Sequence, residues 1–437
     1  MEVDAMPEAS RGRVLVYVSG YSDHALLAHQ PHGTEASGVS GFLLDVDQPS
    51  LKPLALGTGA GEQFSSAAVS GKGCAVSDAC PNPAFMKVYD DNLYVVNERI
   101  DTNGKVFQFK IDRQTGALNL QSQTDAAGRS TCYVVHDAQR RFALVVNYWD
   151  ATVSTVHLNV DGTLGSVADV HRRPGYDYCQ DSKPDRREHL ARRQGWSHTH
   201  CVVPAPEREP SRFALYFVPD LGEECVHQLV LDRETGRLAH RGALLLQAGH
   251  GPRHFVFHPC NQVAYVVNEL DSTVDVLQFD ASVASEIVSG GVDDEADTSK
   301  VALRVVQTIS TIPKGYVGKT HCAEIKVGPD GRFLYVANRF SDTLAVFRIE
   351  AEKGHTLSLV EIVPSGGKTP RHFSFDPSGR VMVVANTDND TLSLFFVHPT
   401  TGLLINLDKN VYAPSPNYVL VVPEMVPTAA PVSRMGA

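Results

Sequence analysis

Residues 252–280 read PRHFVFHPCNQVAYVVNELDSTVDVLQFD, and the same pattern returns at 322–349 (CAEIKVGPDGRFLYVANRFSDTLAVFRI) and 370–397 (PRHFSFDPSGRVMVVANTDNDTLSLFFV). In the first copy an alternating stretch (Phe255, Phe257) ends at a polar turn. A uniformly apolar stretch follows (Ala264 to Val267), then an Asn, a short turn and another alternating stretch (Val274, Val276, Leu277, Phe279). Period-2 alternation bounded by Gly, Pro, Asn and Asp marks strands. The turns are too short for helical crossovers, so neighbouring strands run antiparallel. A fourth strand closes each unit, as in Thr235-Gly-Arg-Leu238 followed by Ala243 to Leu246. Four antiparallel strands repeated every 40–50 residues or so predict an all-β fold, a β-propeller.

The Asn that ends the second strand counts the blades: Asn97, Asn147, Asn268, Asn338 and Asn386, with Pro219-Asp220-Leu-Gly222 in the equivalent place of a further copy. The run Val14-Leu-Val-Tyr-Val-Ser19 with Gly41-Phe-Leu-Leu-Asp45 makes a seventh that lacks an innermost strand, and Asn417-Tyr-Val-Leu-Val-Val422 supplies it. Closure by strands from both ends removes the free sheet edges that invite aggregation. The expectation is one seven-bladed propeller over 1–437, with tails at 1–12 and 424–437. Loop insertions are expected at 51–80 (Gly-, Ser- and Ala-rich), 171–197 (Arg- and His-rich) and 281–300 (with the acidic run Asp293 to Asp297).

Composition narrows the function. A net charge of −11 argues against sequence-independent nucleic-acid binding, which needs a basic face. No apolar run approaches the length of a membrane span, and the start MEVDAMPEASRGR has no apolar core of a secretory signal. The cysteines (Cys74, Cys80, Cys132, Cys179, Cys201, Cys225, Cys260, Cys322) show no CxxC and no regular pairing. They read as reduced core thiols of a cytoplasmic protein.

Residues just before the first strand and just after the second point to the same mouth of a propeller's channel. Those places hold Arg253, His254, Arg371, His372, His200 and His321, then Glu98, Glu269 and Arg339. So many buried charges are costly unless they pair or hold a ligand. A plug of structural ion pairs is the plain alternative. Other signals are weaker. Gly318-Lys-Thr320 and Gly367-Lys-Thr369 lack the earlier Gly of a P-loop and precede strands, and Trp149-Asp150 is a single WD pair. His198-x-His200 has no carboxylate or Cys at ligand spacing beside it, so no metal is expected. Asn389-Asp-Thr391 reads as a turn.

The set His198-Thr-His200, Pro219-Asp-Leu-Gly222, Gly251-Pro-Arg-His254, Asn268-Glu269, Asn338-Arg339 and Gly367-Lys-Thr-Pro-Arg371 resembles the seven-bladed propeller lactonase family, over roughly residues 85–422. That family includes bacterial 6-phosphogluconolactonases and fungal carboxy-cis,cis-muconate cyclases. The resemblance implies a catalytic set of His200, Arg253, Glu269 and Arg339. It departs from the pattern in the long charged insert before His198.

Physical roles can be set beside that resemblance. Fixed guanidiniums at Arg253 and Arg339 suit the oxyanion that develops when water attacks a lactone carbonyl. Glu269 among arginines should have a lowered pKa, which weakens it as a base. His200, titrating near neutrality, is then the better base, with Glu269 as the alternative. His198, His254, His321, Lys368 and Arg371 are expected to contact the substrate. The expectation is a hydrolase of a small anionic sugar lactone, 6-phosphogluconolactone, needing no cofactor. The alternatives are a cycloisomerase that closes a carboxy-muconate, and a non-catalytic interaction platform.

Overall fold

The computed structural model describes residues 12–54, 80–172, 193–293, 297–353 and 355–422. They form seven four-stranded antiparallel sheets. Each sheet is one blade, with its innermost strand on the channel. Blade 1 runs from Pro416–Val421 through Arg13–Gly20 and Val39–Asp45 to Ser50–Pro53. The pairing of Tyr17 with Leu420 and of Val18 with Val419 therefore closes the ring with both ends of the chain, as expected. Among the described residues no helix is long and apolar enough to cross a membrane.

The uniformly apolar second strands follow from packing between blades. In Val263–Asn268 every residue is buried. Ala264 and Val266 pack with Leu215 and Phe217 of the preceding blade, while Tyr265 and Val267 pack with Leu334 and Val336 of the next. Alternate residues thus face alternate neighbours, and both faces read apolar. The outer strands touch water on one face, so Leu118–Asp125 alternates between exposed and half-buried residues.

The recurrent Asn has a structural use. Asn338 Nδ2 donates to Thr311 O at 2.9 Å and its Oδ1 accepts from Thr311 Oγ1 at 2.7 Å. Asn147 Nδ2 donates to Ala126 O at 3.0 Å in the same manner. With Asn97, whose Nδ2 donates to Pro81 O at 3.0 Å, these side chains tie the end of a second strand to the segment arriving from the previous blade. Asn338→Ala removes both bonds and strands Thr311 O, while Thr311 Oγ1 can still donate to Ser272 O at 2.9 Å, so urea unfolding should show a loss of about 1–3 kcal/mol.

The structure differs from expectation in four places, the first being residues 171 and 172, which end the outer strand Leu164–Arg172 rather than open an insertion. Residues 51–53 are not loop but part of the outer strand Ser50–Pro53, since they pair with the strand before them. Segment 281–300 is not all loop either: it opens with the helix Ala281–Ser289, capped by the Asp280 carboxylate on Ser282 N and Val283 N. Ala284 and Ile287, three apart, turn one apolar face into the core beside Phe213. The acidic run that suggested a loop lies beyond the helix. The fourth strand expected around Ala243 to Leu246 begins earlier and runs Leu238–Leu245. Residues 55–79 and 173–192 of the expected insertions, residues 1–11 of the tail expected at 1–12, all of the tail expected at 424–437, and Cys74 and Cys179 lie outside the described residues.

Candidate active site

A bulge builds the channel wall. Pro252 pairs with Asn268 and Phe255 with Val266, so Arg253 and His254 together oppose the single residue Val267. An extra residue bends the strand and re-aims its side chains. The register shifts likewise in four other innermost strands, at Pro83/Phe85, Thr131/Tyr133, Cys322/Ile325 and Pro370/His372. Two successive residues of one strand can therefore both line the channel, which strict alternation forbids.

The upper layer opens into a cavity of about 440 Å³ lined by His198, His200, Arg253, Glu269, His321, Arg339 and Arg371. Glu269 is its centre. Its Oε2 lies 2.8 Å from Arg339 Nη2 and 3.2 Å from Arg253 Nε, and Oε1 meets Arg193 Nη2. His321 Nδ1 is 3.9 Å from Oε1. Burial pushes the Glu269 pKa up, but Arg339, Arg193 and Arg253 outweigh it and hold the carboxyl well below its usual range. The expected lowering is thus present. Burial in turn pushes Arg339 down to about 10 despite Glu269. Beside this cluster Arg371 lies 3.8 Å from Glu98, which also accepts from Tyr21 Oη at 2.7 Å.

His200 departs from expectation. Burial, then Arg253, then His254 depress its pKa well below the ordinary value, so it does not titrate near neutrality. It stands as a neutral imidazole across the physiological range, and the lowering that weakens Glu269 as a base weakens His200 as well. Its Nδ1 makes no hydrogen bond, and neither do the buried Nε groups of Arg253 and Arg339. His198 is anchored instead: Nδ1 meets Tyr148 O at 3.1 Å and the ring stacks on Tyr148 at 4.4 Å. Burial lowers His198 and His321 to about 4.

Two expected substrate contacts lie elsewhere. Lys368 is exposed and does not line the cavity, because the turn before Pro370 carries it outward. His254 is the second residue of its bulge and sits one layer lower, where Nδ1 meets Glu324 Oε2 at 2.9 Å. His372 also approaches Glu324, at 3.5 Å, and stacks on Tyr418 at 3.8 Å. With Phe85 and Tyr133 packed at 4.1 Å, this layer narrows the channel beneath the site.

Sequence reading missed Arg193, Lys319 and the segment from His29 to His32, all at the cavity. Arg193 lies in the insert whose position before His198 was its only signal. The Asp-Leu-Gly motif explains itself here. Asp220 Oδ1 accepts from His198 N at 2.8 Å, and a Cβ on Gly222 would fall 1.6 Å from Trp196 O. Only Gly lets the turn seat the segment that carries Arg193 and Trp196.

The family described as "Lactonase, 7-bladed beta-propeller" matches residues 62–421. A 6-phosphogluconolactonase of Bacillus subtilis (strain 168) is 31% identical over 298 residues, covering 68% of this chain and 74% of the relative. A 6-phosphogluconolactonase of Pectobacterium atrosepticum is 30% identical over 272 residues, 62% of this chain and 68% of the relative. The solved periplasmic gluconolactonase of Pseudomonas aeruginosa superposes with a TM-score of 0.72 at 25% identity, over 94% of this chain and 99% of that one. A sheet count, a channel constellation and a match over most of the chain agree, and the chain belongs to the seven-bladed β-propeller lactonase family.

Proposed function

We propose that this lactonase opens a sugar lactone bearing an anionic substituent, 6-phosphogluconolactone being the best fit. The observation that carries the reading is the charge of the cavity. Arg193, Arg253, Arg339, Arg371 and Lys319 face three carboxylates, Glu98, Glu269 and Asp388, in a protein whose net charge is −11. The guanidiniums that line the cavity suit a phosphate and an oxyanion, which accept paired N–H bonds. The curated relatives named 6-phosphogluconolactonase point to the same substrate.

In this mechanism neutral His200 takes a proton from water as the water oxygen bonds to the lactone carbonyl carbon. The carbonyl oxygen becomes an oxyanion beside Arg253 and Arg339. Collapse restores the carbonyl and breaks the bond to the ring oxygen, which leaves with the proton from His200 as a hydroxyl. Glu269 holds the arginines in place and stays ionised throughout. The free cysteines among the described residues fit a reducing, cytoplasmic setting.

The test compares 6-phosphogluconolactone with unphosphorylated gluconolactone, above their spontaneous rates. A preference of about tenfold or more for the phosphorylated lactone is expected, from one charge-assisted contact. Equal kcat/KM for the two would remove the phosphate from the reading. Activity on a carboxy-muconate alone would replace it with the cyclase.

A further inference from the structure

We propose that a metal site for one soft divalent cation, such as Zn²⁺, lies behind the cavity, with Glu223, Cys225 and His227 as ligands. Cys225 and His227 alternate at the start of the strand Cys225–Asp232 and so share one face, and Glu223 reaches them from the turn that precedes the strand. One donor atom from each lies within 4.8 Å of the others. Cys225 Sγ is 3.5 Å from His227 Nε2. The same sulfur is 3.7 Å from Nδ1, so a rotation of the ring that turns Nε2 toward it is needed to reach the spacing of about 3.6 Å between sulfur and nitrogen on tetrahedral Zn²⁺. Glu223 Oε2 is 4.0 Å from the same nitrogen, within a small side-chain rotation of a binding position. Asp220 Oδ2, 3.3 Å from His227 Nε2, borders this group of three.

The surroundings fit as well. His227 Nδ1 faces His240 Nε2 at 3.2 Å, and metal-bound histidines usually give their second nitrogen such a partner. A cavity of about 20 Å³ lined by His171, His227 and His240 adjoins the cluster, enough for one water or ion. The chain has a second grouping, His258, Cys260 and His355, but there both His258 nitrogens are committed to backbone groups, Gly331 O at 2.8 Å and Cys260 N at 3.1 Å. In the proposed site the partners of His227 are themselves ligand types.

Binding here would act on the catalytic layer through Asp220. That carboxylate also holds Ser197 Oγ and His198 N, so a bound cation fixes the turn that presents His198 and His200. Its role is structural, and the cation takes no part in the lactone chemistry. Ligation displaces the thiol proton of Cys225 to solvent.

Cobalt(II) is the probe. The full chain, stripped with chelator, is titrated with Co²⁺. One equivalent should produce thiolate-to-metal charge-transfer absorption and tetrahedral d–d bands. Cys225→Ser should abolish the charge-transfer band. His227→Asn should weaken binding by about 100-fold or more, since even outer partners are worth about 10–100-fold. Should either variant fail to fold, wild-type protein serves: stoichiometric Zn²⁺ should raise Tm and protect Cys225 from alkylation, mapped by mass spectrometry. The proposal is overturned if stoichiometric Co²⁺ gives no thiolate band and Zn²⁺ no Tm rise. It is equally overturned if the band survives Cys225→Ser and disappears in Cys260→Ser. None of these readouts needs lactonase turnover, so they stand or fall apart from the substrate reading.

Discussion

Glu269→Gln is expected to cost about 3–5 kcal/mol of stability and at least three orders of magnitude in kcat/KM. The side chain keeps its shape and loses only its charge, yet three guanidiniums depend on that charge. Arg339 Nη2 at 2.8 Å, Arg253 Nε at 3.2 Å and Arg193 all converge on the two carboxylate oxygens. Glu269 and Arg253 are almost wholly buried, so water cannot replace the lost carboxylate. Removing one partner of a buried charge cluster leaves uncompensated charge, a larger penalty than the cluster's net worth. Activity falls further because the oxyanion donors lose the group that aims them, and one lost donor costs about 10²–10³ in rate. Arg253→Lys separates the two effects. It keeps the charge and removes the planar fork, so kcat/KM should drop about 10²–10³-fold while the urea midpoint moves little. If Glu269→Gln unfolds at the wild-type midpoint, the cluster is not what organises the channel. If Arg253→Lys turns over at the wild-type rate, Arg253 is not an oxyanion donor.

The fold was legible because its signal is periodic. Strand alternation, the Asn after each second strand and the fragment Asn417 to Val422 at the far end all repeat or complete a repeat. The positions of Arg253, Glu269 and Arg339 were legible for the same reason, since each occupies a fixed place in its blade. What escaped is what the repeat does not encode. Arg193 comes from an insert with no counterpart in other blades, and the segment from His29 to His32 from a loop between two strands of blade 1. Lys368 and His254 were misplaced by local geometry. A turn sends the first outward, and a bulge drops the second to the layer of Glu324. The protonation state of His200 was misread because burial and neighbouring cations are three-dimensional facts. Sequence gives only the ordinary pKa of an imidazole. Glu223, Cys225 and His227 alternate in the chain as ligand types, but a turn brings the first beside the strand that carries the other two.

The depressed histidines predict an asymmetric response to pH. A rate that depended on an ordinary imidazole would fall as pH drops through about 6.5. With His200 held neutral far below that value, chiefly by burial and then by Arg253, kcat should stay flat between about pH 6 and 8. His200→Gln should lose about 10²–10⁴-fold in kcat across that whole window, without creating or removing an inflection. A wild-type inflection near 6.5 that vanishes in His200→Gln would show that the imidazole titrates normally and the burial argument is wrong. Stability, in contrast, should depend on acid. For a histidine whose folded pKa is depressed, the unfolded chain binds the proton first, so unfolding is favoured as pH falls below about 6.5. The loss continues until the folded pKa is reached, and it is absent above neutrality. His198, His254 and His321, each lowered to about 4 mainly by burial, contribute in this window together with His200. At pH 5 each group displaced this far costs about 2 kcal/mol at most, less where water reaches the ring. Glu269 acts only at lower pH. Its folded pKa is also depressed, so its contribution is complete above about 4.3 and is lost as pH falls through the folded value. Thermal unfolding between pH 4.5 and 8 should therefore show a flat Tm above about 6.5 and a steep decline below it. The decline begins in the histidine range because in the unfolded chain an imidazole binds its proton about two pH units above a carboxylate.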